Sequence, residues 1–147
     1  MNDATLFDIS TQSVEETTVI HLKNAAGELM FADAERQLPC QIELYGPGST
    51  PFGVNEARQN ARQTKRFNDN EMKLTSQDHE EQVRETAEDL ASVTKRFINF
   101  GYAPAAGAQG HDLFRAVYAD TKLGFIVKQV QKTLRDWSAF RKGSETS

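Results

Sequence analysis

Three histidines and one cysteine are the residues that could make this chain a catalyst or a metal protein: His21, His79, His111 and Cys40. A zinc site needs several Cys, His or carboxylate ligands at short spacing, and none of the histidines belongs to such a cluster. Cys40 falls in a predicted strand, where we expect a buried, unreactive thiol. We therefore predict no catalytic residue, no metal and no cofactor, and a protein that is not an enzyme.

The segment 46–49, Gly-Pro-Gly-Ser, is the one glycine-rich stretch before a predicted helix, the arrangement that can bind phosphate. It has neither the Gly-x-Gly-x-x-Gly spacing nor a following Gly-Lys-Ser/Thr. We interpret it as a turn, with Thr50 as the N-cap of the helix and Pro51 in the first helical turn.

A basic ridge is the best candidate for a specific charged surface; it consists of Arg58, Arg62, Lys65 and Arg66, at helical spacing on a helix predicted for about 51–67. The apolar stripe of this helix is thin: Val54, Ala57 and Ala61. Three interpretations of the ridge stay open: an exposed solubilising face, a site for an acidic protein, or a nucleic-acid site. The last ranks third because no aromatic residues interleave with the cations for base stacking.

Apolar side chains outside the predicted core are a second class of candidate. Phe125 falls on the polar face of the last predicted helix, so it either packs against the short helix around 113–118 or belongs to a partner-binding patch. The polar segment 1–16 predicts a flexible arm. Its residues Leu6, Phe7 and Ile9 could also dock in the groove or on the sheet edge of a partner.

The elements that must position these residues begin with strands. Segments 17–22, 29–31 and 38–45 predict a small antiparallel sheet, in which Cys40, Ile42 and Leu44 share one face. Pro39 belongs at a strand start because it has no N–H to donate. A sheet this small must pack on helices or on a partner.

Helical periodicity dominates the rest of the chain. Ser76 can cap a helix of about 77–100, with Gly101 after its end. A short helix around 113–118 follows, and Asp120 or Thr121 caps a last helix of about 121–140. Its apolar stripe runs through Leu123, Ile126, Val127, Val130, Leu134, Trp137 and Phe140. We expect Trp137 to be buried, so that its removal costs roughly 3–5 kcal/mol.

The predicted fold class is α+β: a small N-terminal antiparallel sheet followed by a bundle of about four helices. We expect one domain over 17–141, a flexible arm at 1–16 and a flexible tail at 142–147. The chain has 147 residues, a net charge of −4 and one cysteine. Its acidic balance argues against a general nucleic-acid binder. We see no apolar run long enough for a membrane span and no leader-like start, and expect a cytoplasmic protein.

The order of these features resembles tail assembly chaperones and related small tail-module proteins of long-tailed bacteriophages. The matching positions are Gly46, Pro47 and Ser49 after the sheet, then Val117, Tyr118, Ile126, Gln129, Val130 and Phe140. Two positions depart from the pattern: Gly48 stands where an acid is usual, and Thr121 where proline is usual.

The resemblance implies a non-enzymatic helper in the cytoplasm of the infected bacterium. It would bind the tape-measure and tail-tube proteins, or associate with itself. The first alternative is a structural component of the virion, such as a tail or head–tail connector subunit. The second is a small regulatory nucleic-acid-binding protein that uses the basic ridge.

Overall fold

The computed structural model describes residues 6–69 and 78–143. Three strands and four α-helices follow one another as β1 (Thr17–His21), β2 (Gln41–Tyr45), α1 (Thr50–Asp69), α2 (His79–Ser92), β3 (Thr94–Ile98), α3 (Gly110–Tyr118) and α4 (Gly124–Leu134). Short 3-10 helices lie at Ile9–Gln12, Ala103–Ala105, Thr121–Leu123 and Trp137–Phe140. The predicted α+β class, with a small antiparallel sheet and about four helices, is confirmed.

The sheet has the order β1-β2-β3, and both pairings are antiparallel. Alternation along β2 places Ile42 and Leu44 on the face that meets the helices, and both side chains are fully buried. Cys40, just before the strand, is buried with them as predicted. Ile20 of β1 lies opposite Ile42, so both strands contribute to one apolar layer.

The third strand corrects the prediction of a single helix over 77–100. The helix α2 ends at Ser92, and the next residues pair with β2, so that Ile42 lies opposite Phe97. Gly101 is therefore not a helix cap. Apolar residues at 94, 97 and 98 satisfy helical spacing, but Thr, Phe and Ile also favour strands, and pairing with a buried central strand decides between the two.

The predicted strand at 29–31 is also corrected. These residues form only isolated bridges, Lys23 with Leu29 and Phe31 with Pro39. Met30 still connects both sides of the loop, because its N–H donates to Leu22 O (2.9 Å) and its carbonyl accepts from Cys40 N (3.0 Å). The segment therefore closes the end of the β1–β2 hairpin without adding a strand.

The helices cover the inner face of the sheet. Helix α2 packs mainly against α3 and, less extensively, against α1 and α4. The core cluster draws on all of these elements except α1: Ile20, Leu22, Ile42, Leu44, Ala87, Leu90, Ala91, Phe114, Tyr118, Ile126 and Val130. The predicted apolar stripe of the last helix is thus confirmed at Ile126 and Val130.

The last helix is shorter than predicted, and this exposes Trp137. Helix α4 ends at Leu134, and Asp136 adopts an extended conformation (φ −108°, ψ 100°) before the 3-10 helix Trp137–Phe140. This break changes the helical phase, so Phe140 is fully buried while Trp137 is 59% exposed. The expectation of a buried Trp137 is wrong.

The buried Phe140 joins the two ends of the domain. A Cβ atom placed on Gly46 would lie 2.3 Å from Cδ1 of the Phe140 ring, so the ring rests directly on the glycine backbone. The carbonyl of Phe140 accepts from Glu15 N (2.7 Å), and Glu16 O accepts from Gly46 N (2.8 Å). Residues 15–16, the turn after β2 and the last 3-10 helix therefore meet at one point.

Two predicted helix caps are replaced by their neighbours. Helix α1 begins at Thr50, and Ser49 supplies the cap because its Oγ accepts from Phe52 N (3.3 Å). Asp78 caps α2, where its carboxylate accepts from Glu81 N (2.8 Å). Ser76 and Gln77, the predicted cap and start of that helix, lie outside the described residues.

Candidate partner-binding surfaces

The basic ridge of α1 faces the acidic side of α2. Arg62 binds Asp89 through two hydrogen bonds, Nη2–Oδ1 at 2.9 Å and Nη1–Oδ2 at 3.1 Å, and also contacts Glu85 at 3.1 Å. The hydrogen bond to Asp89 raises the pKa of the Arg62 guanidinium above its ordinary value. Arg58 adds a contact to Asp89 Oδ1 at 3.3 Å.

The same pattern continues along the two helices. Arg66 pairs with Glu85, and its Nη2 lies 3.4 Å from Glu81 Oε1. Three of the four ridge cations therefore pair with carboxylates of the same chain; Arg62 and Arg66 are partly buried, and Arg58 is exposed. Lys65 is exposed, and no ion pair of Lys65 is found within 6–69 and 78–143. We call these pairs the α1–α2 ion-pair ladder: Arg58, Arg62 and Arg66 with Asp89, Glu85 and Glu81.

The ladder reverses the expected orientation of α1. Val54, Ala57 and Ala61, the predicted inner stripe, are exposed, and Val54 retains 64% of its accessible surface. The helix instead buries Asn55, whose Oδ1 accepts from Arg58 Nη2. Helix α1 is thus attached largely through charged and polar side chains.

The N-terminal arm carries exposed apolar groups. Leu6, Phe7 and Ile9 are 61%, 70% and 75% exposed. Asp8 caps the 3-10 helix Ile9–Gln12, and the hydrogen bond from the Ser10 hydroxyl, followed by that from its backbone N–H, lowers the pKa of Asp8. The arm therefore has local structure from Ile9 onward while its apolar side chains face solvent. Residues 1–5 of the predicted arm and 144–147 of the predicted tail lie outside the described residues.

Phe125 is half-buried and packs against the core cluster. Its carbonyl accepts from Gln129 Nε2 (3.0 Å), within α4. Of the two interpretations of Phe125, packing inside the domain is the one that this geometry supports.

A cationic surface that the sequence analysis did not single out lies at the C-terminal end of the domain. It consists of the six exposed cations of residues 121–143: Lys122, Lys128, Lys132, Arg135, Arg141 and Lys142. Positions 128, 132 and 135 share one face of α4 by helical spacing, and Lys132 and Arg141 line the same groove. We call it the C-terminal basic surface. The exposed Trp137 lies between two of these cations in the chain, Arg135 and Arg141. A count of charges over 121–143 would have found it, because this segment contains six cations and a single acid, Asp136.

A groove of about 550 Å³ adjoins this surface, between the β1 side of the sheet and α4. Lys23, Lys132 and Arg141 line it, together with Asp136. Asp136 accepts hydrogen bonds from Ser138 Oγ (2.6 Å) and Ser138 N (3.0 Å). These bonds, and then the charges of Arg141 and Lys132, lower the pKa of Asp136. The groove therefore has an excess of positive charge.

The residues considered for catalysis occupy structural positions. His21 is buried, and its Nε2 donates to Met30 O (2.8 Å). Burial raises the pKa of the Cys40 thiol, which disfavours the thiolate. His111 Nε2 lies 3.0 Å from Glu88 Oε1 on the surface. Within residues 6–69 and 78–143, no group of three or more His, Cys, Asp or Glu side chains is arranged to hold a metal ion.

No protein-family model, curated protein or solved structure matches this chain. Across the described parts of the chain, no helix is both long enough and apolar enough to cross a membrane.

Proposed function

We propose that this chain is a non-enzymatic assembly chaperone or adaptor for the tail of a long-tailed bacteriophage, acting in the host cytoplasm on the tape-measure and tail-tube proteins. One observation carries the protein-binding part of this proposal. Leu6, Phe7, Ile9 and Trp137 are all more than half exposed on a domain that already has a closed core. Exposed large apolar side chains near each other mark surfaces for protein association.

The junction at Phe140 relates these side chains to one another. The arm joins the domain at Glu15, which donates to Phe140 O (2.7 Å), and Trp137 begins the 3-10 helix that Phe140 ends. The end of the arm at Glu15 and the 3-10 helix that contains Trp137 therefore meet at Phe140. A client with an apolar helix or strand could contact both.

The tail-specific part of the proposal rests on the resemblance in sequence. Several of the positions that carry it have structural roles in this fold. Gly46 lies against the Phe140 ring, Ser49 caps α1, and Gln129 binds the backbone of Lys23. Conserving such contacts would preserve the scaffold, while the exposed apolar residues would select the client.

Co-expression with tape-measure and tail-tube proteins, followed by affinity capture, tests the proposal. We expect the wild-type chain to retain at least one of them, and a variant with Leu6, Phe7 and Ile9 changed to Ser to retain less. Val54→Ser is the matched control, because Val54 is equally exposed but lies on α1. Capture of neither protein by the wild-type chain would refute the role.

Purified virions distinguish a chaperone from a structural subunit. We expect the chain in the lysate of infected cells and not in the particles. A stoichiometric band in purified particles would replace the chaperone role with that of a virion component.

A further inference from the structure

The distribution of charge along this chain is strongly uneven. Residues 121–143 contain six Lys and Arg and one Asp, a formal net charge of +5, whereas the whole chain carries −4. The rest of the chain therefore carries −9. A cluster of like charges on one side of a small protein raises its self-repulsion and attracts partners of opposite charge.

The cations of this segment are not neutralised inside the domain. Among the described residues, no carboxylate lies within ion-pair distance of the six side chains of the C-terminal basic surface. The single nearby acid, Asp136, already accepts two hydrogen bonds from Ser138. The contrast with α1 is clear, because three of the four cations of the basic ridge bind acids of α2. The charge at the C-terminal end is available to a partner.

Trp137 adds an apolar contact to this charge. Its side chain is 59% exposed, but its backbone is fixed: Asp136 caps the 3-10 helix, and Phe140, at the other end, is fully buried. A rigidly held Trp loses little conformational entropy on binding. Trp and Arg are also the residue types most enriched among those that dominate binding energy at protein interfaces.

We propose that the C-terminal basic surface, together with Trp137, binds an acidic amphipathic segment of a protein. The carboxylates of that segment pair with the exposed cations, and an apolar side chain beside them covers the Trp137 ring. The inference rests on the proposed function in one respect: it names the chemistry of the client segment that a chaperone would hold.

An acidic protein segment fits this surface better than nucleic acid does. The remaining −9 of the chain would repel a phosphate backbone running beyond the basic surface. Single-stranded nucleic acids are usually held by several aromatic side chains that stack successive bases, and this surface presents one exposed ring. A short amphipathic segment needs only one apolar anchor and local positive charge.

Trp137 is the one tryptophan of the chain, so its fluorescence reports directly on the surface. The probe is a Trp-free helical peptide with Glu along one face and Leu along the other. We expect saturable binding, with a blue shift of the Trp137 emission as its ring is covered. Binding should weaken roughly tenfold or more when the ionic strength rises from 50 mM to 500 mM, because exposed charges are then screened.

Paired charge reversals locate the site. Lys128→Glu with Lys132→Glu, both on α4, should weaken peptide binding about tenfold or more. Lys65→Glu with Arg84→Glu makes the same change in net charge at exposed positions on α1 and α2, and should leave the affinity within about twofold. A peptide with Lys in place of Glu should not bind.

Three results would overturn the inference. The first is an unchanged emission on adding the acidic peptide; the second is equal loss of affinity in the two paired reversals. The third is a shift of the emission by a thymidine oligonucleotide but not by the acidic peptide. That result would assign the surface to nucleic acid.

Affinity capture separates this inference from the proposed function. If the wild-type chain and the Lys128→Glu/Lys132→Glu variant retain the tape-measure or tail-tube protein equally well, the chaperone role stands and the site is wrong. If the wild-type chain binds the acidic peptide but captures neither protein, the site stands and the tail role is wrong.

Discussion

The side-chain amide of Gln129 pairs with both backbone groups of Lys23. Gln129 Oε1 accepts from Lys23 N, and Gln129 Nε2 donates to Lys23 O, each over 2.8 Å. A helix side chain thus takes the place that a neighbouring strand would occupy beyond β1. These two hydrogen bonds hold α4 against the sheet.

Gln129→Ala should therefore destabilise the domain. It removes the protein partner of two exposed backbone groups of Lys23, and we expect a loss of roughly 0.5–1.5 kcal/mol in the free energy of unfolding. Gln131→Ala, on the same helix, is the control. Urea denaturation gives the difference, and hydrogen exchange should show faster exchange at the Lys23 amide. Equal stability of the two variants would contradict this role.

Gly46→Ala should be more damaging than an ordinary surface substitution. The added Cβ would lie 2.3–2.6 Å from three carbons of the Phe140 ring, so the ring must move, at a cost of about 1–3 kcal/mol. Gly53→Ala has open space around the new Cβ and lies inside α1, so it should stabilise by up to about 1 kcal/mol. Thermal unfolding measures both. A neutral Gly46→Ala would mean that the ring can shift freely.

Truncation to alanine should affect the stability of the domain strongly at Phe140 and little at Trp137. Phe140→Ala removes a fully buried ring and should cost roughly 3–5 kcal/mol. Trp137→Ala removes a largely exposed one and should change stability by no more than about 0.5 kcal/mol. Iodide should quench the emission of Trp137 in the native protein. A loss of roughly 3–5 kcal/mol in Trp137→Ala would instead indicate a buried ring.

Because the α1–α2 ion-pair ladder attaches α1 to the domain, we expect the stability of α1 to depend more on charged side chains and on salt than that of the other helices. Arg62→Ala removes the closest partner of Asp89 and one of the two arginine partners of Glu85, both partly buried, and we expect a loss of about 1–3 kcal/mol. Lys65→Ala should stay within about 0.5 kcal/mol. A double-mutant cycle with Asp89→Ala isolates the pair. Faster hydrogen exchange in α1 at high salt would show that the ladder holds the helix in place.

Because the Tyr118 phenol is buried, we expect the domain to lose stability at alkaline pH. Its hydroxyl donates to Thr94 Oγ1 over 2.7 Å, and Thr94 donates in turn to Leu90 O over 2.8 Å. Burial raises the pKa of Tyr118 well above its ordinary value, despite the hydrogen bond to Thr94. The neutral phenol is thus favoured in the folded state, and its contribution is complete below the unfolded pKa of about 10.

The free energy of unfolding should then fall as the pH rises above about 10, by up to about 1.4 kcal/mol per pH unit for this group. Tyr118→Phe should reduce this slope, at a cost of about 1 kcal/mol at neutral pH for the lost hydrogen bond. Tyr45→Phe is the control, because Tyr45 is only partly buried. Urea denaturation at pH 9 and pH 11 gives the comparison. An unchanged slope in Tyr118→Phe would contradict the assignment.

Local patterns in the sequence correctly predict those elements whose buried residues recur at one regular spacing. Alternation identifies the inner face of β2, and helical spacing identifies Ile126 and Val130 as core residues of α4. Both depend only on which residues of one element face inward. The general α+β order follows from these elements and from the β-branched residues of β1.

The elements that the sequence does not predict depend on contacts between distant residues. The pattern of β3 is compatible with a helix until Phe97 meets Ile42. The basic ridge has the same appearance whether it faces solvent or α2, since the acids that neutralise it lie on another helix. One extended residue, Asp136, is enough to expose Trp137 while Phe140 stays buried.

The hydrogen bond between Glu15 and Phe140 brings two segments that are far apart in the chain to one point. A short linker joining the two positions would therefore need to span little distance, as in many domains that tolerate circular permutation. New ends could then be opened in the turn around Gly27, whose left-handed backbone lies on the surface away from this junction. If the segment that joins the two positions retains the arm, the permuted chain carries the arm and Trp137 in one continuous segment, which could be moved to another scaffold as a unit.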